Sequence, residues 1–202
     1  MQHALNLYFR LIGVQIRSQM QYRASFALEL VVTGMIALFE YASLALVFER
    51  FDNLGGWTLG QVAFLYGMSE FSFGIMDMLF GGFDPSFFGL NVRRGTFDQL
   101  LLRPVNITAQ VLGSEFTLRR IGKIIVGAGI FASALALSPV AWTPLKALLA
   151  TLMAVSQVAF FGGLFIIGAT VTFWTVESIE VVNIFTYGGS YMISHPMHIF
   201  PA

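Results

Sequence analysis

Four carboxylic acids lie inside long apolar stretches of this sequence, where an ionisable side chain is energetically costly and commonly has a function. Glu29 and Glu40 are eleven positions apart and Glu70 and Asp77 are seven apart, so each pair lies on one face of a helix. Carboxylates at membrane depth commonly face a bundle interior or a water-filled path. Glu40, Glu70 and Asp77 are therefore candidates to line the path of a polar substrate or to relay protons. The alternative is that these acids are neutralised by neighbouring helices.

Other residue types that could support chemistry do not form a convincing site. The chain has no Cys, which excludes disulfides, thiol nucleophiles and thiolate metal ligands. His195 and His198 flank Pro196, whose ring prevents the regular helical spacing of a metal pair, and no third ligand is apparent. No pairing of nucleophile and base stands out. We therefore predict no catalytic residue, no metal and no cofactor in this chain.

Two nucleotide-binding patterns can be tested directly against the sequence. No G-x-x-x-x-G-K-[ST] run occurs, so the chain cannot hold ATP in a P-loop. Gly127, Gly129 and Ala132 match the dinucleotide pattern G-x-G-x-x-A, but they lie in an uncharged apolar segment with no strand before it. Small residues at this spacing indicate close helix packing instead.

The composition indicates a membrane protein. Of the 202 residues, 56 % are hydrophobic and only 11 % are charged, whereas soluble proteins average about 25 % charged residues. Eleven basic and eleven acidic residues cancel, which argues against nucleic-acid binding because that function needs a concentrated basic face. A soluble enzyme is excluded on the same composition.

Four segments are long and apolar enough for helices that cross about 30 Å of hydrocarbon. The predicted fold is an all-α, polytopic transmembrane bundle that forms a single domain over residues 1–202. The predicted spans are residues 26–48, 62–83, 124–141 and 147–174.

Lys and Arg predict the orientation, because short loops rich in these residues stay in the cytoplasm. Nine of the eleven fall before the first span or between the second and third. We therefore expect a multi-pass protein of the cell membrane with a cytoplasmic N-terminus and a cytoplasmic loop at residues 84–123. These nine residues are Arg10, Arg17, Arg23, Arg93, Arg94, Arg103, Arg119, Arg120 and Lys123.

The N-terminal residues 1–23 predict an amphipathic helix. Apolar side chains recur at steps of three and four, and polar side chains occupy another face, which is typical of a helix lying in the membrane interface. An ordinary cytoplasmic helix that packs on a soluble partner is the alternative. The apolar positions are Leu5, Phe9, Ile12, Ile16 and Met20.

The cytoplasmic loop contains a predicted short helix. Thr96 and Gln99 have the spacing of a capping box, and Pro104 ends the helix after about two turns. Phe97, Leu100 and Leu101 then share an apolar face, which needs a packing partner because two turns are unstable alone. A plain basic anchor for anionic lipid is the alternative.

The arginine pair Arg93 and Arg94, the run GTFDQLLLRP over residues 95–104 and the surrounding helix order resemble the permease subunits of ABC-2 type transporters. The resemblance covers essentially the whole chain and implies an exporter subunit. It implies an N-terminal elbow helix and a coupling helix that docks on a separate ATPase. The implied coupling residues are Arg93, Arg94, Thr96, Phe97, Asp98, Leu101 and Arg103.

The resemblance also implies the partners. A separate ATPase subunit would bind ATP and Mg²⁺, and a second permease subunit would complete a homodimer or heterodimer in the bilayer. Family members resemble six-span proteins, so we expect this four-span chain to be truncated at its C-terminal end. The alternative function is a proton-coupled secondary transporter that uses Glu40, Glu70 or Asp77.

Overall fold

The structure is a computed structural model, and it describes residues 2–51, 53, 55–137, 141–175 and 179–196. Within these residues all of the secondary-structure elements are helices, as predicted. A 3-10 turn and a π-helical turn, at Gly81–Phe83 and Ile184–Gly188, interrupt the order. The α-helices are α1 (Gln2–Gln21), α2 (Arg23–Arg50), α3 (Leu59–Phe80), α4 (Pro85–Arg93), α5 (Thr96–Leu101), α6 (Ile107–Ser114), α7 (Arg120–Leu137), α8 (Pro144–Val171), α9 (Ile179–Asn183) and α10 (Gly189–Ile193).

Two helices among the described residues, α2 and α8, are long and apolar enough to cross a membrane. Each has 28 residues, and only 11 % and 28 % of their most apolar windows are buried within the chain. So much exposed apolar surface is expected of helices that face lipid or another subunit. The four predicted spans overlap α2, α3, α7 and α8. Residues 138–140 of the third span lie outside the described residues, and the number of spans stays a prediction.

The helix α3 is the centre of the bundle. It contacts α2, α7, α8 and α10, and most of its residues are buried. Its buried apolar residues form two clusters, one with α7 along the first half and one with α8 along the second half, and α7 also contacts the second half. The two clusters consist of Ala63, Tyr66, Ile130 and Ala134, and of Phe73, Met76, Phe161 and Phe165.

Glycines set the distance between α3 and α7. A Cβ atom on Gly127 would lie 2.6 Å from the amide nitrogen of Phe71, and one on Gly67 would lie 2.5 Å from that of Phe131. Positions without a side chain let the two backbones approach this closely. A Cβ on Gly129 would meet nothing within 4 Å. The predicted small-residue packing therefore holds for Gly127 within the chain, whereas Gly129 faces open space.

The segment between α3 and α7 contains more helix than the sequence predicted. Residues 84–123 were expected to hold one short helix, but α4 and α6 flank α5. Asp84 caps α4 by accepting a hydrogen bond from the amide of Ser86 at 2.9 Å. Asn106 caps α6 by accepting one from the amide of Ala109 at 3.0 Å. Such side chains satisfy backbone donors that a helix leaves free at its start.

The N-terminal helix α1 packs on α6 and makes a polar contact with the segment between α6 and α7. The Gln19 side chain accepts a hydrogen bond from the amide of Leu118 at 2.8 Å. Phe9 and Met20, on the predicted apolar face, are 64 % and 39 % exposed. The side chain of Leu5, another position of that face, lies outside the described residues. Two apolar side chains thus remain free to meet lipid headgroups, and the interfacial position of α1 stays a prediction.

Candidate substrate cavity and coupling surface

A cavity of about 400 Å³ lies between α2, α3 and the start of α7. Leu28, Val32 and Ile36 form one wall at four-residue spacing along α2, and they are 66 %, 45 % and 55 % exposed. The cavity is therefore open along an apolar stripe of α2. Its charged lining residues are Glu29, Glu40, Glu70, Arg119, Arg120 and Lys123.

Two of the three predicted path carboxylates are paired with cations of α7. Lys123 Nζ lies 3.1 Å from Glu70 Oε2, and Arg120 Nε lies 2.8 Å from Asp77 Oδ2. The Glu70 and Asp77 side chains are only 7 % and 4 % exposed, so each cation offsets a charge that would be costly to bury alone. These pairs join α3 to α7. Glu70 still lines the cavity, whereas Asp77 does not.

The third carboxylate, Glu40, is held by two tyrosines. The Tyr66 hydroxyl lies 3.0 Å from Glu40 Oε2 and shares its one hydrogen with the carbonyl oxygen of Ala37, at 2.8 Å. The Tyr191 hydroxyl donates to Oε1 at 3.3 Å. In the part of the chain that the structure describes, no Lys, Arg or His nitrogen lies within ion-pair distance of Glu40. A second cavity of about 440 Å³ shares Glu40 and Tyr191 with the first and also meets His195.

Neither tyrosine was among the residues predicted from the sequence to line the substrate path. Tyr66 and Tyr191 are 26 and 151 positions from Glu40 in the chain. Neither position carries a local signal, because their contact with Glu40 depends on how α3 and α10 pack against α2. Only the arrangement of the helices brings these three side chains together.

The helix of the predicted coupling region is α5, but its start differs from the prediction. Thr96 and Gln99 were expected to form a capping box. Instead Gly95 is the N-cap, with a left-handed φ of 67°, and the Thr96 hydroxyl donates back to the carbonyl oxygen of Asn91 at 3.1 Å. Glycine adopts this conformation without a steric cost. A glycine turn, not a capping box, starts the helix.

Aromatic packing fixes α5 to the rest of the chain. The Phe97 ring lies edge-on to Phe88 of α4, with centroids 5.2 Å apart, and edge-on to Phe173 after α8, at 5.3 Å. Leu101 and Leu102 are 50 % and 85 % exposed. The sequence analysis placed Phe97 and Leu101 on one contact face. The structure places Phe97 inward and Leu101 outward.

The charged residues that the sequence assigned to coupling are exposed around these leucines. Together with the two leucines they make up the exposed part of the predicted coupling helix and its ends, which we name the coupling surface. Its inner side rests on Phe97, and Thr96 is exposed at its edge. The coupling surface consists of Arg93, Arg94, Asp98, Leu101, Leu102 and Arg103.

A tyrosine joins the start of α4 to the bundle core. The Tyr187 hydroxyl donates to Asp84, the N-cap of α4, and its ring packs on Phe73 at 5.5 Å between centroids. Tyr191, which contacts Glu40, follows one turn later in the same segment. A continuous set of contacts therefore runs from α4 to Glu40.

No metal site emerges among the residues that the structure describes. No group of three or more His, Cys, Asp or Glu side chains in this part of the chain is placed to hold an ion. His195 Nδ1 lies 2.9 Å from the carbonyl oxygen of Tyr191. His198, considered with His195 as a metal pair, lies outside the described residues.

Comparison with known families shows that residues 34–202 match the family described as "ABC-2 family transporter protein". The matched region includes the cavity-lining parts of α3 and α7, the helices α4 to α6 and most of α2. Neither a curated protein nor a solved structure matches the chain.

Proposed function

This chain belongs to the ABC-2 transporter family, and we propose that it is the permease subunit of an ATP-driven exporter. The subunit forms the substrate path through the cell membrane. A separate ATPase subunit binds ATP and Mg²⁺, since this sequence has no P-loop. The observation that carries the coupling proposal is α5, which is anchored by Phe97 and presents Leu102 at 85 % exposure.

The coupling surface is the proposed docking site of the ATPase. Exposed leucines among charged residues have the composition of a protein interface, in which an apolar centre is surrounded by polar residues. Asp98, Arg93 and Arg94 supply charges of both signs for orienting the partner. When ATP closes the ATPase, α5 moves with it, and the aromatic contact of Phe97 passes the movement to α4 and the end of α8.

The proposed topology has four spans, α2, α3, α7 and α8, with the N-terminus in the cytoplasm. Arg119, Arg120 and Lys123 lie at or near the start of α7, on the same side as the coupling surface. This placement follows the excess of Lys and Arg in cytoplasmic segments. The helix α1 is the proposed elbow that lies in the interface, with Phe9 and Met20 toward lipid.

A second permease subunit, identical or related, is proposed to cover part of α2. Only 11 % of the apolar window of α2 is buried within the chain, and the cavity opens along this helix. A partner there would complete the wall of the substrate path. Glu40 and Glu70 line that path in the proposal, while Asp77 stabilises its wall through Arg120.

The alternative, a proton-coupled secondary transporter, has less support. It requires carboxylates that are free to bind and release protons along a path. Glu70 and Asp77 are instead paired with Lys123 and Arg120. Membership of an ABC family also favours ATP as the energy source.

Replacing Leu101 and Leu102 by Asp tests the coupling surface. We expect the double variant to lose co-purification with its ATPase and to lose substrate-stimulated ATP hydrolysis, because two charges would replace the apolar centre of the interface. Leu90→Asp is the matched control, since Leu90 is 37 % exposed on the neighbouring helix α4. Association and hydrolysis that survive the double change would contradict the proposal.

A further inference from the structure

We propose that the Glu40 site binds lipophilic organic cations, meaning molecules with an ammonium or phosphonium centre and an apolar body. This inference rests on the proposed function, because it names the substrate class of the same path. It concerns the two neighbouring cavities that share Glu40 and Tyr191. Three observations carry it: the charge of the site, an aromatic ring beside that charge and the apolar wall.

The charge of the site comes from Glu40. Of the buried or half-buried carboxylates along the path, Glu70 and Asp77 have cationic partners. Glu40 has only hydroxyl partners among the described residues, Tyr191 and Tyr66, and Tyr66 shares its hydrogen with the backbone. Neutral donors orient a carboxylate but do not cancel its charge. In a poorly solvated cavity such a carboxylate attracts a ligand of opposite charge strongly.

The other charged residues near the cavities do not neutralise Glu40. Lys123 and Arg120 form ion pairs with Glu70 and Asp77. Arg119 is exposed, just before the start of α7. Glu29, which also lines the first cavity, lies eleven positions before Glu40, which is about 16 Å along the same helix. The region around Glu40 therefore has an acidic character distinct from the mixed charges at the cytoplasmic end.

An aromatic ring lies beside the carboxylate. Tyr191 is 50 % exposed and lines both cavities, whereas Tyr66 is only 2 % exposed and lines the second cavity alone. Aromatic faces attract organic cations through the ring quadrupole, and this attraction increases when the cation is desolvated. A carboxylate with a tyrosine ring beside it suits a large, weakly hydrated organic cation better than an inorganic cation. Removing water from the organic cation costs less free energy.

The wall of the first cavity suits an apolar body. Leu28, Val32 and Ile36 line it and are exposed on the surface of α2. In a bilayer this stripe faces acyl chains or a second subunit. The outer part of the second cavity is also apolar, with Leu44 and Val47. A ligand that is partitioned into the membrane can therefore bring its apolar part along α2 and its charge to Glu40.

Two ions of the same shape and opposite charge test the proposal. Tetraphenylphosphonium and tetraphenylborate differ in the sign of one charge, so a site that depends on Glu40 discriminates between them. Binding of each ion is measured by equilibrium dialysis against the complete permease–ATPase complex in nanodiscs, without ATP. We expect tetraphenylphosphonium to bind and Glu40→Gln to weaken its binding by roughly tenfold. Both ions also partition into lipid, so binding is counted above that of empty nanodiscs of the same lipid. For tetraphenylborate this excess is expected to be small and insensitive to Glu40→Gln.

Glu49→Gln is the matched control, because it removes one carboxylate from the same helix outside both cavities. It is expected to leave tetraphenylphosphonium affinity unchanged. Equal binding of the two ions, or equal effects of Glu40→Gln and Glu49→Gln, would overturn the proposal. Retained association with the ATPase, checked in the same samples, separates this outcome from a failure of the proposed function.

Discussion

The hydroxyl of Tyr187 donates a hydrogen bond to Asp84 Oδ2 across 103 positions of sequence, at 2.5 Å. The other oxygen of Asp84 accepts from the amide of Ser86 and so begins α4. This carboxylate therefore contacts both the first turn of α4 and the segment that carries Tyr191. A movement of α4 that shifts Asp84 would change both hydrogen bonds.

Tyr187→Phe removes this hydrogen bond and little else. We expect the free energy of unfolding to fall by about 1 kcal/mol, the usual contribution of one hydrogen bond, because Asp84 keeps its hydrogen bond to the Ser86 amide. Thermal unfolding of the purified subunit in detergent measures the change. Tyr22→Phe is the control, because Tyr22 is 71 % exposed. Equal unfolding temperatures for the two variants would show that the contact contributes nothing.

Arg120→Ala leaves Asp77 buried without its cation, since that carboxylate is 4 % exposed. We expect a loss of about 3 kcal/mol, at the low end for a buried pair because Arg120 is 24 % exposed. Adding Asp77→Asn should recover part of this stability, because the unpaired charge is then removed. Unfolding curves of the single and double variants measure the recovery. A double variant that is less stable than the single one would contradict the ion-pair interpretation.

Gly127→Ala and Gly129→Ala place the same methyl group two positions apart on α7. The first would put a Cβ 2.6 Å from the Phe71 amide nitrogen, whereas the second has open space. Overpacking typically costs about 1–3 kcal/mol, so we expect Gly127→Ala to lower the unfolding temperature and Gly129→Ala to leave it unchanged or raise it. The opposite order would mean that α3 and α7 do not meet at Gly127.

Gly95→Ala and Gln99→Ala distinguish two accounts of how α5 begins. A left-handed residue other than glycine costs about 1–2 kcal/mol, so Gly95→Ala should destabilise α5 because φ is 67° there. Gln99 is exposed, and its truncation should have little effect. Hydrogen exchange of the α5 amides reports local stability. Faster exchange in Gln99→Ala than in Gly95→Ala would support the capping box of Thr96 and Gln99 and contradict the glycine turn.

The sequence predicted the long helices well because their signal is local. A run of apolar residues defines α2 and α8 without knowledge of their neighbours. The helices α4 and α6 were missed although Asp84 with Pro85, and Asn106, are recognisable start signals. Short helices depend mostly on packing, here of Phe88 and Val111 in one cluster, and this packing has no counterpart in a local pattern.

The candidate site was only partly predictable for the same reason. Position along an apolar run identified Glu40, Glu70 and Asp77 as unusual. Which of them has a cation nearby depends on the register between α3 and α7, and a shift of one residue on α7 would change every partner. Lys123 and Arg120 were interpreted as markers of the cytoplasmic side, and their second role as ion-pair partners appears only when the helices are packed.

The four proposed spans differ in length. At 28 residues, α2 and α8 are each about 42 Å long, whereas α3 and α7, with 22 and 18 residues, are about 33 and 27 Å. A hydrocarbon layer of about 30 Å matches α3 and α7 but is thinner than the lengths of α2 and α8, which must therefore tilt or extend beyond it. Acyl-chain length would then set the tilt of α2 and with it the width of the opening beside Glu40. We therefore expect the width of this opening to depend on the hydrophobic thickness of the bilayer. Reconstitution in lipids of graded chain length, with binding at the Glu40 site as the measured quantity, tests this dependence.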